Sequence, residues 1–200
     1  MDPRRFAGLP HDAQRRELEA ILLADPLVRD ALQRAREFDL PDWMIVSGAI
    51  YNSVWNALTG REPGYGIKDI DLFYFDGSDL SWEAEDAVIK AGGDRFAGLA
   101  VPAEIRNQAR VHLWYESRFG RQCPAYESSA HSLHYFASKT HAVGVCLLED
   151  DSLAVTAPFG LDHVFSLEIV PNRALDNRET HMAKAKRASS LWPQVTVESW

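Results

Sequence analysis

Two cysteines, Cys123 and Cys146, are all that the 200 residues contain, and no paired spacing links them to other ligand-type residues. A disulfide framework and a structural zinc site are thereby set aside, and reduced thiols in a cytoplasmic setting are expected. No apolar run reaches membrane-spanning length, so a membrane is not an expected partner. The opening "MDPRRFAGLPHDAQ" has no apolar core of the kind a signal peptide carries. Positive charge is scarce too: 21 Lys and Arg stand against 29 Asp and Glu, a formal charge of −8. That balance argues against extended binding of nucleic-acid backbone, while leaving room for a small cleft that handles one nucleotide. Internal repeats and low-complexity segments are missing as well. What is present is a globular composition, 46% hydrophobic and 25% charged, at a length suited to a single domain over 1–200.

Periodicity divides that domain into N-terminal helices (1–40), a core (41–120) and a small C-terminal α/β extension (121–200). "HDAQRRELEAILLADPLVRDALQRAREFDLPD" reads as two helices broken at Asp25-Pro26, with Leu18, Ile21, Leu22, Leu27 and Leu32 at helical spacing. "DWMIVSG" (42–48) is a short apolar strand ending in glycine, and "AIYNSVWNALTG" is a helix stopped by Gly60. "REPGYG" forms a loop, 69–75 a strand, "SWEAEDAVIKAGG" a helix closed by Gly92-Gly93, and "VPAEIRN" a further strand. "QARVHLWYESRFG" continues as a helix to Gly120. Beyond a weaker patch near 120–128, "SSAHSLHYFASK" (128–139) reads as helix and "AVGVCLL" and "SLAVTA" as strands. "GLDHVFSLEIVPN" is a short helix running into a strand, and "NRETHMAKAKRAS" (177–189) a polar helix. The fold class expected is α/β (α+β), a mixed central sheet flanked by helices.

The chemistry concentrates in "GIKDIDLFYFD". Alternation along a strand puts Asp69 and Asp71 on one face with Phe73 and Phe75, and Ile70, Leu72 and Tyr74 on the other. Two ionised carboxylates at the head of a run with apolar cover repel, and each raises the other's pKa; a hard divalent cation offers both a shared opposite charge. Solvation at a strand end is the plain alternative. Upstream, "VSGAIYNSVWN" enters a helix through Ser47-Gly48-Ala49, and a helix N-terminus entered this way presents N–H groups and positive dipole to a phosphate. Downstream, Glu104 lies between Ala103 and Ile105, with Arg106 on the same strand face. Three acids beside a phosphate-accepting turn match two-metal phosphoryl chemistry, in which cations about 3.5–4 Å apart clamp the attacking and leaving oxygens.

Together, "VSGAIYNSVWNALTG", "DIDLFYFD", "AEIRNQARVHLWYESRFG" and "APFGLDHVFSLEIVPN" resemble the bacterial nucleotidyltransferase-like proteins of the DNA polymerase β superfamily, over about residues 40–193. The resemblance implies a nucleotidyltransferase fold. It makes Asp69, Asp71 and Glu104 the ligands of Mg2+ (or Mn2+), and Ser47 and Gly48 the contacts to a nucleoside triphosphate. It implies transfer of a nucleoside monophosphate with release of pyrophosphate, and leaves the acceptor open among a small molecule, RNA or protein. Two features depart from the family pattern. Gly48 is followed by Ala49 instead of Ser or Gly, and Tyr51 stands where related transferases often carry arginine. Both motivate a rival, a nucleotidyltransferase-like protein that binds a nucleotide or a partner without turnover. A glycosyltransferase would also use D-x-D, but would leave Glu104 and the glycine turn without a role.

Other residues read more plainly. Arg106 is poised between phosphate contact and pairing with an acid. Arg110 and His112 read as surface or structural, Lys68 as a solvated loop lysine within reach of a phosphate, and Asp162, beside His163, as a helix cap. His131 and His134 stand three apart, as two imidazoles sharing a metal would, yet no third ligand accompanies them. Arg61 and Tyr65 could stack on a base but read first as members of a turn, and Trp55 and Trp114 as core.

Overall fold

The computed structural model describes residues 2–200. Helices α1 (His11–Ala24) and α2 (Pro26–Phe38) are separated at Asp25, as the proline requires. Asp25 caps α2 by accepting from the Leu27 and Val28 amides, and its second oxygen accepts from Ser53 at 2.9 Å, tying the helix pair to the centre of the molecule. Strand β1 (Met44–Val46) leads into α3 (Gly48–Thr59), which Gly60 ends in the left-handed conformation. Then come β2 (Ile70–Tyr74), α4 (Trp82–Arg95), β3 (Ala103–Asn107) and, after one 3-10 turn, α5 (Val111–Phe119). The last third holds α6 (Ser129–Ser132), β4 (Gly144–Leu147), β5 (Leu153–Thr156), α7 (Asp162–Phe165), β6 (Glu168–Ile169), α8 (Arg178–Leu191) and β7 (Thr196–Val197). No described helix is long and apolar enough to cross a membrane.

Five strands form one mixed sheet in the order β3-β2-β1-β4-β5; β2 and β3 run parallel and the other pairs antiparallel. The sheet has two distinct faces. Ile45, Leu72, Ile105 and Val145 are register partners in one row, all buried in the main core with Leu32, Ile50 and Val54 of the helices. The next row, Val46, Asp71, Glu104 and Gly144, points the opposite way, as the period of two demands. That opposite face is covered only in part, by Leu133 and Phe136 against Met44, Val46 and Phe73. The uncovered remainder is where the acids lie.

Three expectations need correction. The boundary near 120 does not divide the sheet, because β4 and β5, from the segment assigned to a C-terminal extension, are two of its five strands. Gly92-Gly93 does not close α4, which runs on to Arg95; a Cβ on Gly92 would lie 2.0 Å from the Ile105 side chain, so this glycine lets helix and strand approach. Residues 128–139 are not one helix either. After α6 and a 3-10 turn at Leu133–Tyr135, the Asn172 amide donates to the carbonyls of His134 (2.7 Å) and Phe136 (2.9 Å), while Ser138 bridges Pro171. Phe136 and Ser138 are extended, with ψ 148° and 137°, so the helical ladder ends there.

Candidate functional site

The β1–α3 turn is strained. Ser47 adopts φ 58° and ψ −109°, a region L-residues avoid, and its amide donates to the Val143 carbonyl at 2.8 Å. Its hydroxyl is buried with no partner in the protein. Gly48 opens α3, and neither conformation nor packing demands glycine there: its φ is ordinary, and an added Cβ would meet nothing nearer than the Asn52 amide at 3.9 Å. Open space before bare backbone at a helix N-terminus suits an anion arriving from outside.

Across that space stand the acids. Asp71 is register partner to Val46 on one side and Glu104 on the other. Its carboxyl is pushed up to about 6, first by burial and then by the charges of Asp69 and Glu104, while Lys184 and Arg106 pull the other way. The strand therefore brings the three acids into mutual electrostatic contact. Burial separates them: Asp69 and Asp71 are half-buried and line a cavity, whereas Glu104 is exposed at the neighbouring strand. Among the described residues, no group of three His, Cys, Asp or Glu side chains is disposed to hold a metal ion by itself.

The sequence reading missed the cations opposite. Lys184 and Arg187 of α8 line the same cavity as Asp69 and Asp71, with Lys68 at its rim. Helix α8 is pinned along its length. The Tyr115 hydroxyl donates to Asn177 at 2.8 Å, His181 lies 2.8 Å from the Ser138 hydroxyl, and the Trp192 indole donates to Asn56 at 3.1 Å. Arg187 donates to the Gly66 carbonyl at 2.6 Å. Gly66 has φ +73°, and a Cβ there would come within 2.6 Å of Trp192, so both backbone and packing select glycine. The helix itself was legible, but its buried face is only His181, Ala185 and Ala188 at i, i+4 and i+7, a stripe too small and polar to show which way the helix docks.

Tyr51, noted for lacking the positive charge of arginine, is buried, packed against Trp55 and stacked on His141 with ring centroids 4.5 Å apart. Positive charge reaches this part of the cleft from α8 instead. His141 is 1% exposed with neither ring nitrogen hydrogen-bonded, and burial holds its pKa well below the usual imidazole value.

Two cavities meet at Asp71 and Lys184, the two residues that line both. One, about 290 Å3, is the basic pocket of Gly48, Lys68, Asp69 and Arg187. The other, about 270 Å3, is walled by aromatic rings, with Ser47, Arg106 and His141 also on its surface. Trp114, expected in the core, is half-buried in that wall, whereas Trp55 is fully buried and donates to the Val164 carbonyl at 2.9 Å. Arg106 is exposed and stands beside Phe73 in register, donating to its neighbour's carbonyl Ile105 O.

The remaining candidates are structural. Arg110 forms a buried ion pair with Glu85 and donates to the Leu80 carbonyl at 2.8 Å. Asp162 caps no helix of its own; it accepts from the Gly8 amide (2.6 Å) and Gln14 (2.9 Å), fastening the N-terminal segment. Arg61 lies over the Tyr65 ring at 4.8 Å, and Tyr65 packs edge-on against Trp192. His131 accepts from the Glu127 amide.

Comparison with known proteins completes the picture. Residues 33–197 match the model of a family described as nucleotidyltransferase. Among solved structures, one described as "The NMR structure of the protein reveals a CCA-adding enzyme head domain" aligns with a TM-score of 0.74 at 21% identity, covering 92% of this chain and 96% of that one. At that identity the likeness concerns the fold. No curated protein matches the chain.

Proposed function

The chain belongs to the nucleotidyltransferase family that it matches over residues 33–197, and from that premise we propose that it transfers a nucleoside monophosphate from a nucleoside triphosphate to an acceptor, releasing pyrophosphate. The observation that carries this reading is Asp71. Its carboxyl is raised to about 6 by burial and by Asp69 and Glu104, and it faces a cavity that also holds a free helix N-terminus at Gly48 and the cations Lys184 and Arg187. An acidic pair and a phosphate cradle on opposite walls of one small cavity have complementary needs.

The donor set fits a hard divalent cation. Magnesium prefers one or two carboxylates plus substrate phosphates over an all-protein cage, so Asp69 and Asp71 suffice without a third close ligand. Bound there, Mg2+ or Mn2+ would neutralise charge on the triphosphate and on both carboxylates. The protein's own groups do the rest. The Gly48 amide and the α3 dipole, with Lys184 and Arg187, hold the departing phosphates and balance the charge that grows on them. Ser47 fixes the turn that aims those amides. Glu104, exposed beside Asp71, is placed to take the acceptor's proton, and Arg106 to contact a non-bridging oxygen. Because phosphoryl-type transfer asks little covalent chemistry of a protein, positioning and charge neutralisation account for the rate.

One observation favours binding without turnover: Glu104, the third acid, lies outside both cavities. Calorimetry with each triphosphate, with and without magnesium, run beside a pyrophosphate-release assay over hours, separates the readings. Magnesium-dependent binding with release supports transfer; binding with no release supports the non-catalytic version; no binding at all removes both.

A further inference from the structure

The aromatic cavity adjoins the phosphate cradle and opens onto the same carboxylate, with Arg106 and Lys184 on its surface. We propose that this cavity seats the base of the nucleoside triphosphate, so that the ring stacks among Trp114, Tyr126, Tyr135 and Phe136 while the phosphates run past Asp71 and Lys184 into the basic cavity. The inference rests on the nucleotidyl-transfer reading and assigns the other half of the substrate.

Three observations support it. First, the cleft is bipolar in the way the ligand is. One lobe is aromatic and the other carries the helix N-terminus and cations, and they join at two residues only, Asp71 and Lys184. A nucleoside triphosphate is likewise a flat ring at one end and a polyanion at the other, joined through the ribose, with the α-phosphate where transfer takes place next to that join. Second, the rings are preorganised. Tyr126 and Tyr135 stack on each other with centroids 5.4 Å apart and 20° between planes, and Phe136 meets Phe73 edge-on at 5.9 Å. Stacking on such surfaces tolerates any base, because every base has a π-face.

Third, the cavity carries polar groups that the protein leaves unsatisfied. Ser47 and His141 both lie on its surface, both are 1% exposed, and neither the Ser47 hydroxyl nor either His141 nitrogen has a partner. Buried polar groups in folded proteins are nearly always paired, so orphans gathered at one cavity call for a ligand. A hydroxyl and a neutral imidazole offer donors and acceptors together, which suits the polar edge of a heterocycle or a ribose hydroxyl better than hydrocarbon.

The test compares ring-bearing and ringless polyanions. Calorimetry measures magnesium tripolyphosphate against the magnesium complexes of ATP, GTP, CTP and UTP on the full chain. Stacking on aromatic side chains predicts that at least one nucleotide binds about tenfold or more tightly than tripolyphosphate. Trp114→Leu should erase most of that advantage, Trp114→Phe should keep it, and both should bind tripolyphosphate like the unmodified protein. Tyr135→Leu serves as a second probe should Trp114→Leu unfold. Four nucleotides binding no tighter than tripolyphosphate would overturn the base assignment while leaving the phosphate site standing, as would an advantage that survives both leucine variants. Failure of tripolyphosphate alone to bind, with nucleotides still binding through Trp114, would instead remove the phosphate reading and keep this one.

Discussion

Asp71 and Glu104 are register partners across the parallel β2–β3 pair, side by side on the sheet face that the helices leave uncovered. Strands about 4.8 Å apart hold their facing side chains within reach of each other's charge, and Asp69 approaches from two residues upstream. The cluster is thus built at an energetic cost to the empty protein.

Removing that repulsion should cost function and not the fold. Asp69→Asn with Asp71→Asn is expected to abolish magnesium-dependent triphosphate binding while raising the thermal midpoint in metal-free buffer, since burial and like charge both disfavour the ionised Asp71. Calorimetry and thermal denaturation on one preparation check both halves. A double variant that binds like the unmodified protein would falsify the carboxylate assignment.

Lys184 is exposed at the mouth of both cavities but helps hold Asp71 ionised, so Lys184→Met should lower the folding midpoint only slightly. The same variant should weaken triphosphate binding about tenfold, the loss appropriate to one charge-assisted contact. Unchanged affinity at low salt, where such a contact is least screened, would exclude Lys184 from the phosphate site.

Ser47 tests whether strain is stored at the turn. At φ 58° glycine is at ease and serine is not, so Ser47→Gly should stabilise the protein by about 1 kcal/mol or leave it unchanged. Ser47→Val, with its β-branch in the same conformation, should destabilise by more than that. Chemical denaturation of the pair gives both signs; equal destabilisation by Gly and Val would show that the hydroxyl, not the backbone, matters to folding.

His141 sets a pH dependence. Its folded pKa lies well below 6.5 because burial disfavours the imidazolium, so the unfolded chain takes up the proton first. Stability from this group is therefore present above about pH 6.5 and lost as pH falls below it, by at most about 1.4 kcal/mol per pH unit. Urea midpoints between pH 8 and pH 5 should decline in the unmodified protein and decline less in His141→Phe.

Glu85 and Arg110 form a buried pair, each side chain 8% exposed, that ties α4 to the end of β3; a second Glu85 oxygen accepts from the Asn107 amide at 2.9 Å. Glu85→Gln leaves the guanidinium buried without its counter-charge and should cost about 3–5 kcal/mol in a denaturant titration. A change under 1 kcal/mol would mean that water already shields the arginine.

Much of this was legible in the chain. Asp25-Pro26 marked the helix break because proline cannot donate and aspartate caps, and Gly60 and Gly120 marked helix ends that indeed adopt the left-handed conformation. The alternation from 69 to 75 gave the face of the acids. Gly92 misled because a glycine that permits close packing looks, one-dimensionally, like a glycine that stops a helix.

The amino-acid order alone determined which residues share a strand face and where the helices start and stop, because those depend on neighbours two to four positions away. Tertiary structure alone decided that Lys184 and Arg187, more than a hundred residues beyond Asp71, supply the positive wall, that Trp114 faces a cavity and not the core, and that β4 and β5 complete the sheet. Those outcomes follow from how buried faces pair across the whole chain, and a polar helix whose inward stripe is one His and two Ala gives no local sign of where it will dock.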